Sequence, residues 1–171
     1  MEISREYVIN MLKQVDFDPT AYDFLRSRAS DVRSVLLEVA KGEAEEADDY
    51  MRKNAIAMLG TAGDETCVDA LVELLSHERT EFRANAIRSL GKIGTAKAAT
   101  GLKSKLSKAE LPATEGKIIV AALAQIGEAD SADAIKGFRK RFAAEKKESP
   151  SLERDLQEMD NTISKLQAKS Q

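Results

Sequence analysis

The sequence predicts an all-α fold: an α-solenoid (α-α superhelix) of stacked antiparallel helix pairs, with about ten helices. Three observations carry this expectation. Apolar residues recur at three- and four-residue spacing along most of the chain, and no stretch alternates in the manner of a strand. Helix formers dominate, against 3 prolines and 9 glycines in 171 residues. One segment is also written twice. MRKNAIAMLGTAG, from Met51, and FRANAIRSLGKIG, from Phe82, lie 31 residues apart. They share Arg52/Arg83, Asn54/Asn85, Ala55/Ala86, Ile56/Ile87, Leu59/Leu90, Gly60/Gly91 and Gly63/Gly94. A fixed period of this length marks a unit whose apolar stripe is too small to bury alone and is covered by the next unit.

The first helix spans about 4–15, with Ser4 as its cap and Tyr7, Val8, Met11, Leu12 and Val15 as its stripe. In DFDPTAYDFL, Asp18 takes the N-cap and Pro19 the first helical position of a short helix to about 28. Ser30 or Asp31 caps a third helix, whose stripe is Val32, Val35, Leu36 and Val39; Gly42 ends it. The acidic run EAEEADD (43–49) is a loop. Asp48 or Asp49 caps the helix of the first copy, where a negative charge suits the positive helix end. Gly63 stops that helix. Its partner runs over about 65–76, with Cys67, Val68, Leu71, Leu74 and Leu75 apolar.

HERT (77–80) turns the chain and Thr80 caps the second copy. Gly94 stops it, and Thr95 caps its partner at about 96–107, with Ala98, Ala99, Leu102 and Leu106. A third copy is degraded. Gly127 lies 33 residues after Gly94, so two residues are inserted, placed in AELPA (109–113), and Gly116 replaces the arginine. Its second helix covers about 131–147, with Ala134, Ile135, Phe138 and Phe142. Gly63, Gly94 and Gly127 are all expected at positive φ. Ser149 and Pro150 open a last helix at about 150–168, where Leu152, Leu156, Met159, Ile163 and Leu166 repeat at 4, 3, 4, 3 spacing. That seam suits either a cap folded over the last repeat or self-association through the C-terminal helix. The expected organisation is a single domain, 1–171. It has capping helices over 1–42, repeats at 48–76, 80–107 and 113–147, and a terminal cap at 150–168.

The pattern R-x-x-A-x-x-x-L-G-x-x-G-[DT], followed by a helix with A-L or G-L and a trailing Leu, resembles HEAT repeats. More narrowly, it resembles the short bacterial and archaeal type also found in phycobilin lyase subunits. Arg52, Ala55, Leu59, Gly60, Gly63, Asp64, Ala70, Leu71 and Leu74 carry the first copy. Arg83, Ala86, Leu90, Gly91, Gly94, Thr95, Gly101, Leu102 and Leu106 carry the second. The clear match covers about 51–107 and a weaker one reaches about 142. The resemblance implies a solenoid in which the second helix of each unit lines the concave side. It also implies that Arg52 and Arg83 bridge to turn carbonyls or neighbouring acids, work suited to the fork of guanidinium donors. Fold of this kind does not settle function.

Little in the chain suggests chemistry. A single histidine, His77, cannot build a multi-histidine metal site. Cys67 sits on an apolar stripe without a nearby base, as a packing thiol does. No catalytic residue, cofactor or metal is expected. One cysteine permits no intrachain disulfide, there is no run of eighteen apolar residues and no secretory-type start, so the expected location is cytoplasmic. Charge is uneven: residues 1–80 carry 9 Lys+Arg against 17 Asp+Glu, and residues 81–171 carry 17 against 12. Residues 83–147 are basic, with 14 against 6. Even so, the absence of Trp and a pI of about 5.4 disfavour a dedicated nucleic-acid binder.

Aligning the second helices gives columns of outward positions: Asp69, Thr100, Asp133; Val72, Lys103, Lys136; and Ser76, Ser107, Lys140. They become basic toward the C-terminus, which suits an acidic or amphipathic segment of another protein. The expected function is therefore a non-enzymatic protein-protein interaction module, an adaptor or scaffold. Its partner-binding candidates are Lys103, Lys136 and Lys140, with Asp69 and Glu73 setting polarity. Two alternatives stand beside it: a phycobilin-lyase-like subunit handling a tetrapyrrole, and a nucleic-acid-binding or DNA-repair protein.

Overall fold

A computed structural model describes residues 3–14, 19–145 and 150–169. Val15, the Asp18 and Ser149 caps, and residues 146–147 of the expected third-copy helix lie outside the described residues. The regular elements among the described residues are all helical. They are α1 (Arg5–Gln14), α2 (Pro19–Ser27), α3 (Ala29–Lys41), α4 (Asp49–Ala62), a 3-10 turn (Glu65–Cys67), α5 (Val68–Leu74), α6 (Thr80–Ile93), α7 (Ala96–Leu106), α8 (Ala113–Ile126), α9 (Ser131–Glu145) and α10 (Pro150–Ala168). They fall into two compact units, Met1–Ile93 and Gly94–Gln171.

In the first unit the helix starts follow local side-chain chemistry. The Ser4 hydroxyl accepts from Tyr7 N at 3.2 Å, and Asp48 Oδ1 accepts from Met51 N at 2.8 Å. The third helix departs from expectation. It starts at Ala29, with Arg28 in the cap position and no side-chain cap. The Asp31 carboxylate is occupied instead by Arg28 Nε at 2.8 Å and by the Ser30 hydroxyl at 3.2 Å. Gly42 ends α3 at φ 79°.

Gly63 overturns the expected positive φ. It is extended, at φ −81° and ψ 164°. Glycine is needed there for space, since a Cβ would lie 2.2 Å from Leu59 O. Asp64 then accepts from Thr66 N at 2.9 Å and opens the 3-10 turn, so the α-helical part of the partner is shorter than expected. Thr80 is the first residue of α6, not the residue before it. The turn ahead of it is closed by His77, whose Nδ1 accepts from Arg79 N at 3.1 Å.

The core of this unit centres on α4, which packs on α1, α2, α3 and α6. Ala55, Ile56, Met58 and Leu59 on α4 and Phe82, Ala86, Ile87 and Leu90 on α6 are all buried, on two helices that pack together. Each large aliphatic contributes about 1.5–3 kcal/mol by leaving water. Gly60 marks a close approach of α4 and α6: a Cβ there would lie 2.8 Å from Ser89 Cα. The Ser89 hydroxyl crosses to Ile56 O at 2.7 Å. Asn54 Nδ2 ties α4 to α1 through Leu12 O at 3.1 Å. Tyr7, expected on the buried stripe, is 48% exposed and meets Phe24 edge-on at 5.7 Å.

In the second unit Thr95 caps α7 by accepting from Ala98 N at 3.2 Å. Gly127 closes α8 at φ 80°, and Gly94 has φ 73°. The Gly116 that breaks the arginine pattern is a packing residue, because a Cβ there would lie 2.2 Å from the Phe138 ring. Phe138 and Phe142 are buried, their rings 5.7 Å apart. Helix α10 packs on α9 and α8 and buries Leu152, Met159, Ile163 and Leu166, while Leu156 is half-buried. Lys117–Asp155 at 3.0 Å and Arg139–Asp160 at 2.6 Å flank that seam. The heptad ridge is therefore covered by its own chain.

Candidate partner-binding surface

The structure places the five sequence-derived candidates on three helices. Asp69 and Glu73 are exposed on α5 in the first unit. Lys103 on α7 and Lys136 and Lys140 on α9 belong to the second unit, where α7 and α9 pack together. The lysines differ in state. Lys103 Nζ is held by Asp130 Oδ2 at 2.6 Å, and its side chain is only 22% exposed. Lys136 pairs with Asp133 at 2.9 Å within one turn of α9. Lys140 is exposed. Sequence reasoning missed Asp130, which sits 27 positions from Lys103 in a turn and carries no spacing signal.

The arginines join helix ends and turns. Arg33 Nε donates to Ala62 O at 3.4 Å and its Nη1 meets Asp64 at 2.7 Å. Arg141 Nη2 donates to Leu106 O at 2.6 Å. Arg83 Nη1 donates to His77 O and Glu78 O at 2.8 Å each. A cation at the carbonyl end of a helix satisfies orphan acceptors and opposes the negative dipole end. Arg5 on α1 bonds Glu38 and Glu46, and its guanidinium holds both carboxyls below their usual range. Cys67 is buried, and the His77 ring tilts against Phe82 at 4.8 Å.

The first unit also has an open cleft of about 390 Å³. The end of α3, the start of α4 and the last turn of α5 with Ser76 and His77 enclose it, and Arg52, Lys41 and Glu73 are among its walls. No helix among the described residues is long and apolar enough to cross a membrane.

The HEAT repeats family matches residues 34–114, a span containing both matched helices and their arginine-anchored turns. That segment is similar to HEAT repeats. The fold class is an all-α solenoid, and solved structures with the same fold agree. One is the complex of CpcE and CpcF of phycocyanin lyase from Nostoc sp. PCC7120, with a TM-score of 0.60 and 19% identity. The match covers 95% of this chain but 66% of that one, just under two thirds of its length. Another is the crystal structure of an engineered protein, with a TM-score of 0.51 and 19% identity, covering 94% of this chain and 81% of that one. No curated protein gives a match.

Proposed function

We propose that this HEAT-repeat chain is a non-enzymatic protein-binding module that holds an acidic or amphipathic segment of a partner protein. The observation that supports this most is the structural likeness to a complex of two subunits, CpcE and CpcF. The candidate contacts are Lys103, Lys136 and Lys140, with Asp69 and Glu73 setting polarity in the first unit. Because Lys103 and Lys136 already have carboxylate partners, an incoming acid exchanges one ion pair for another there and gains little. Lys140 carries the larger share of any new attraction. A surface built on helices is already ordered, so binding loses little conformational entropy.

The test is capture of partners from the native host by the tagged chain. It is repeated with Lys103→Glu, Lys136→Glu and Lys140→Glu combined, and circular dichroism checks the fold. Loss of a specific partner with the helical signal intact is expected; unchanged capture removes this face.

A second reading is that of a subunit handling a tetrapyrrole, favoured by the same neighbour being a phycocyanin lyase. Absorbance and fluorescence after mixing the purified chain with a bilin separate the two. A saturable, red-shifted complex supports the lyase-like reading.

A further inference from the structure

The second helices of the first and third repeat copies carry opposite charge in matching positions. From Asn54 to Glu78 the chain has five Asp or Glu and no Lys or Arg. Asp64 is engaged by Arg33, and the other four, Glu65, Asp69, Glu73 and Glu78, are exposed on or beside α5. From Ala134 to Ala144, within α9, it has four Lys or Arg and no acid. Arg139 and Arg141 serve the fold, through Asp160 and Leu106 O, while Lys136 and Lys140 stand exposed. The spacing matches as well. Asp69 and Glu73 lie four residues apart, as do Lys136 and Lys140, so each pair is stacked over one turn of its helix. An α5 laid along an α9 brings both acids to both bases at once.

Shape goes with the charge. Gly137, next to Lys136 and one turn before Lys140, is exposed in the middle of α9. It ends no helix and fills no tight space in its own chain, since a Cβ there would meet only Arg141 Nη1, at 3.9 Å. Glycine weakens a helix interior, and a recurrent use for it is to let another backbone or ligand come near. On α5, Val72 shares the face of Asp69 and Glu73 and is half-buried. Its branched side chain suits the gap over Gly137. We infer that α5 of one copy of this chain docks on α9 of a second copy, with Asp69 and Glu73 against Lys136 and Lys140 and Val72 over Gly137. Lys136 gives up only its exposed pair with Asp133, a small loss. Neither Lys140 nor Glu73 has an ion pair among the described residues. Helix α10 covers its apolar ridge within its own unit, so that ridge is not what joins the copies. The inference rests on the reading above, that these helices hold protein, and names the partner as the chain itself.

The test is analytical ultracentrifugation of the purified full chain over a range of concentrations, with circular dichroism to check the fold of every variant. At low salt the mass is expected to rise with concentration above the 18.7 kDa of one chain. Raising the salt to about 0.5 M is expected to weaken association about ten-fold, because exposed charges are screened. Lys136→Glu with Lys140→Glu is expected to leave single chains, as is Asp69→Lys with Glu73→Lys. An equimolar mixture of those two variants is expected to associate again, since each then offers the other an opposite charge at both faces. Gly137→Ala keeps all the charges and favours the helix, yet is expected to weaken association about two- to five-fold by filling the gap. The inference is overturned by a wild-type chain that stays single at low salt. It is equally overturned by association that both charge reversals leave unchanged, or by reversed variants that do not join when mixed. The reading above is judged separately. A host partner lost on lysine reversal, from a chain that is single on its own, keeps that reading and removes this inference.

Discussion

Replacing Gly60 with alanine tests the stacking of successive repeats at a point of close approach. The added Cβ would lie 2.8 Å from both Ser89 Cα and Ser89 Oγ, and 3.1 Å from Lys92 Cδ. The lysine end can swing away, but the Ser89 backbone can move only if α6 moves, carrying Ile87 and Leu90 with it. Overpacking of this kind costs about 1–3 kcal/mol. Against it, alanine is the better helix former by about 0.5–1 kcal/mol. Gly137, inside α9, separates the two effects. Its added Cβ would meet only Arg141 Nη1, at 3.9 Å, so Gly137→Ala receives the propensity gain without the clash. The expected outcome is that Gly60→Ala is less stable than Gly137→Ala by about 1–3 kcal/mol. The assay is urea denaturation followed by circular dichroism, with slopes compared to confirm that the same surface unfolds. If Gly60→Ala stabilises as much as Gly137→Ala does, then α4 and α6 do not meet at these residues and the stacking argument fails.

Three other outcomes follow from the same structure. Gly116→Ala drives a methyl into the buried Phe138 ring, and a loss of about 1–3 kcal/mol is expected, restored in part by the double change with Phe138→Leu, in thermal denaturation. Asp48→Ala removes the acceptor for Met51 N, and a loss of about 1 kcal/mol is expected in urea titration. Glu38 and Glu46 titrate below the ordinary glutamate value of 4.5 because Arg5 donates to both. The unfolded chain therefore takes up their protons first as pH falls, and their contribution, present above 4.5, is lost on acidification through their folded-state values. Arg5→Ala is expected to flatten that acid limb in a pH series of melting temperatures.

The repeat was legible because it is written in the sequence itself: Ala55/Ala86 and Leu59/Leu90 are core positions in both copies, and Gly60 and Ser89 mark the close approach. Features set by contacts distant in sequence were not legible. Gly63 carries the same letter as Gly94 and Gly127, yet it is kept for the space beside Leu59 O and not for a left-handed backbone. Gly116 reads as decay of the repeat until Phe138, 22 positions later, is seen filling its place. Arg28 displaced an expected cap because Asp31 had a closer charged partner. The candidate surface was legible as residue columns but not as charges. Alignment cannot reveal that Asp130 already holds Lys103, or that Arg52 and Arg83, identical in register, differ in what they bond.

Helix α10 turns its oily ridge inward, and this limits how the molecule can be lengthened. A further helix pair appended beyond α10 would find mostly hydrophilic side chains to rest against and little to cover. Extra copies would have to be spliced in upstream, at a turn between existing pairs, with the closing helix left as the last layer. Engineering by insertion should then keep every apolar ridge covered, whereas engineering by extension should yield dangling, protease-sensitive tails.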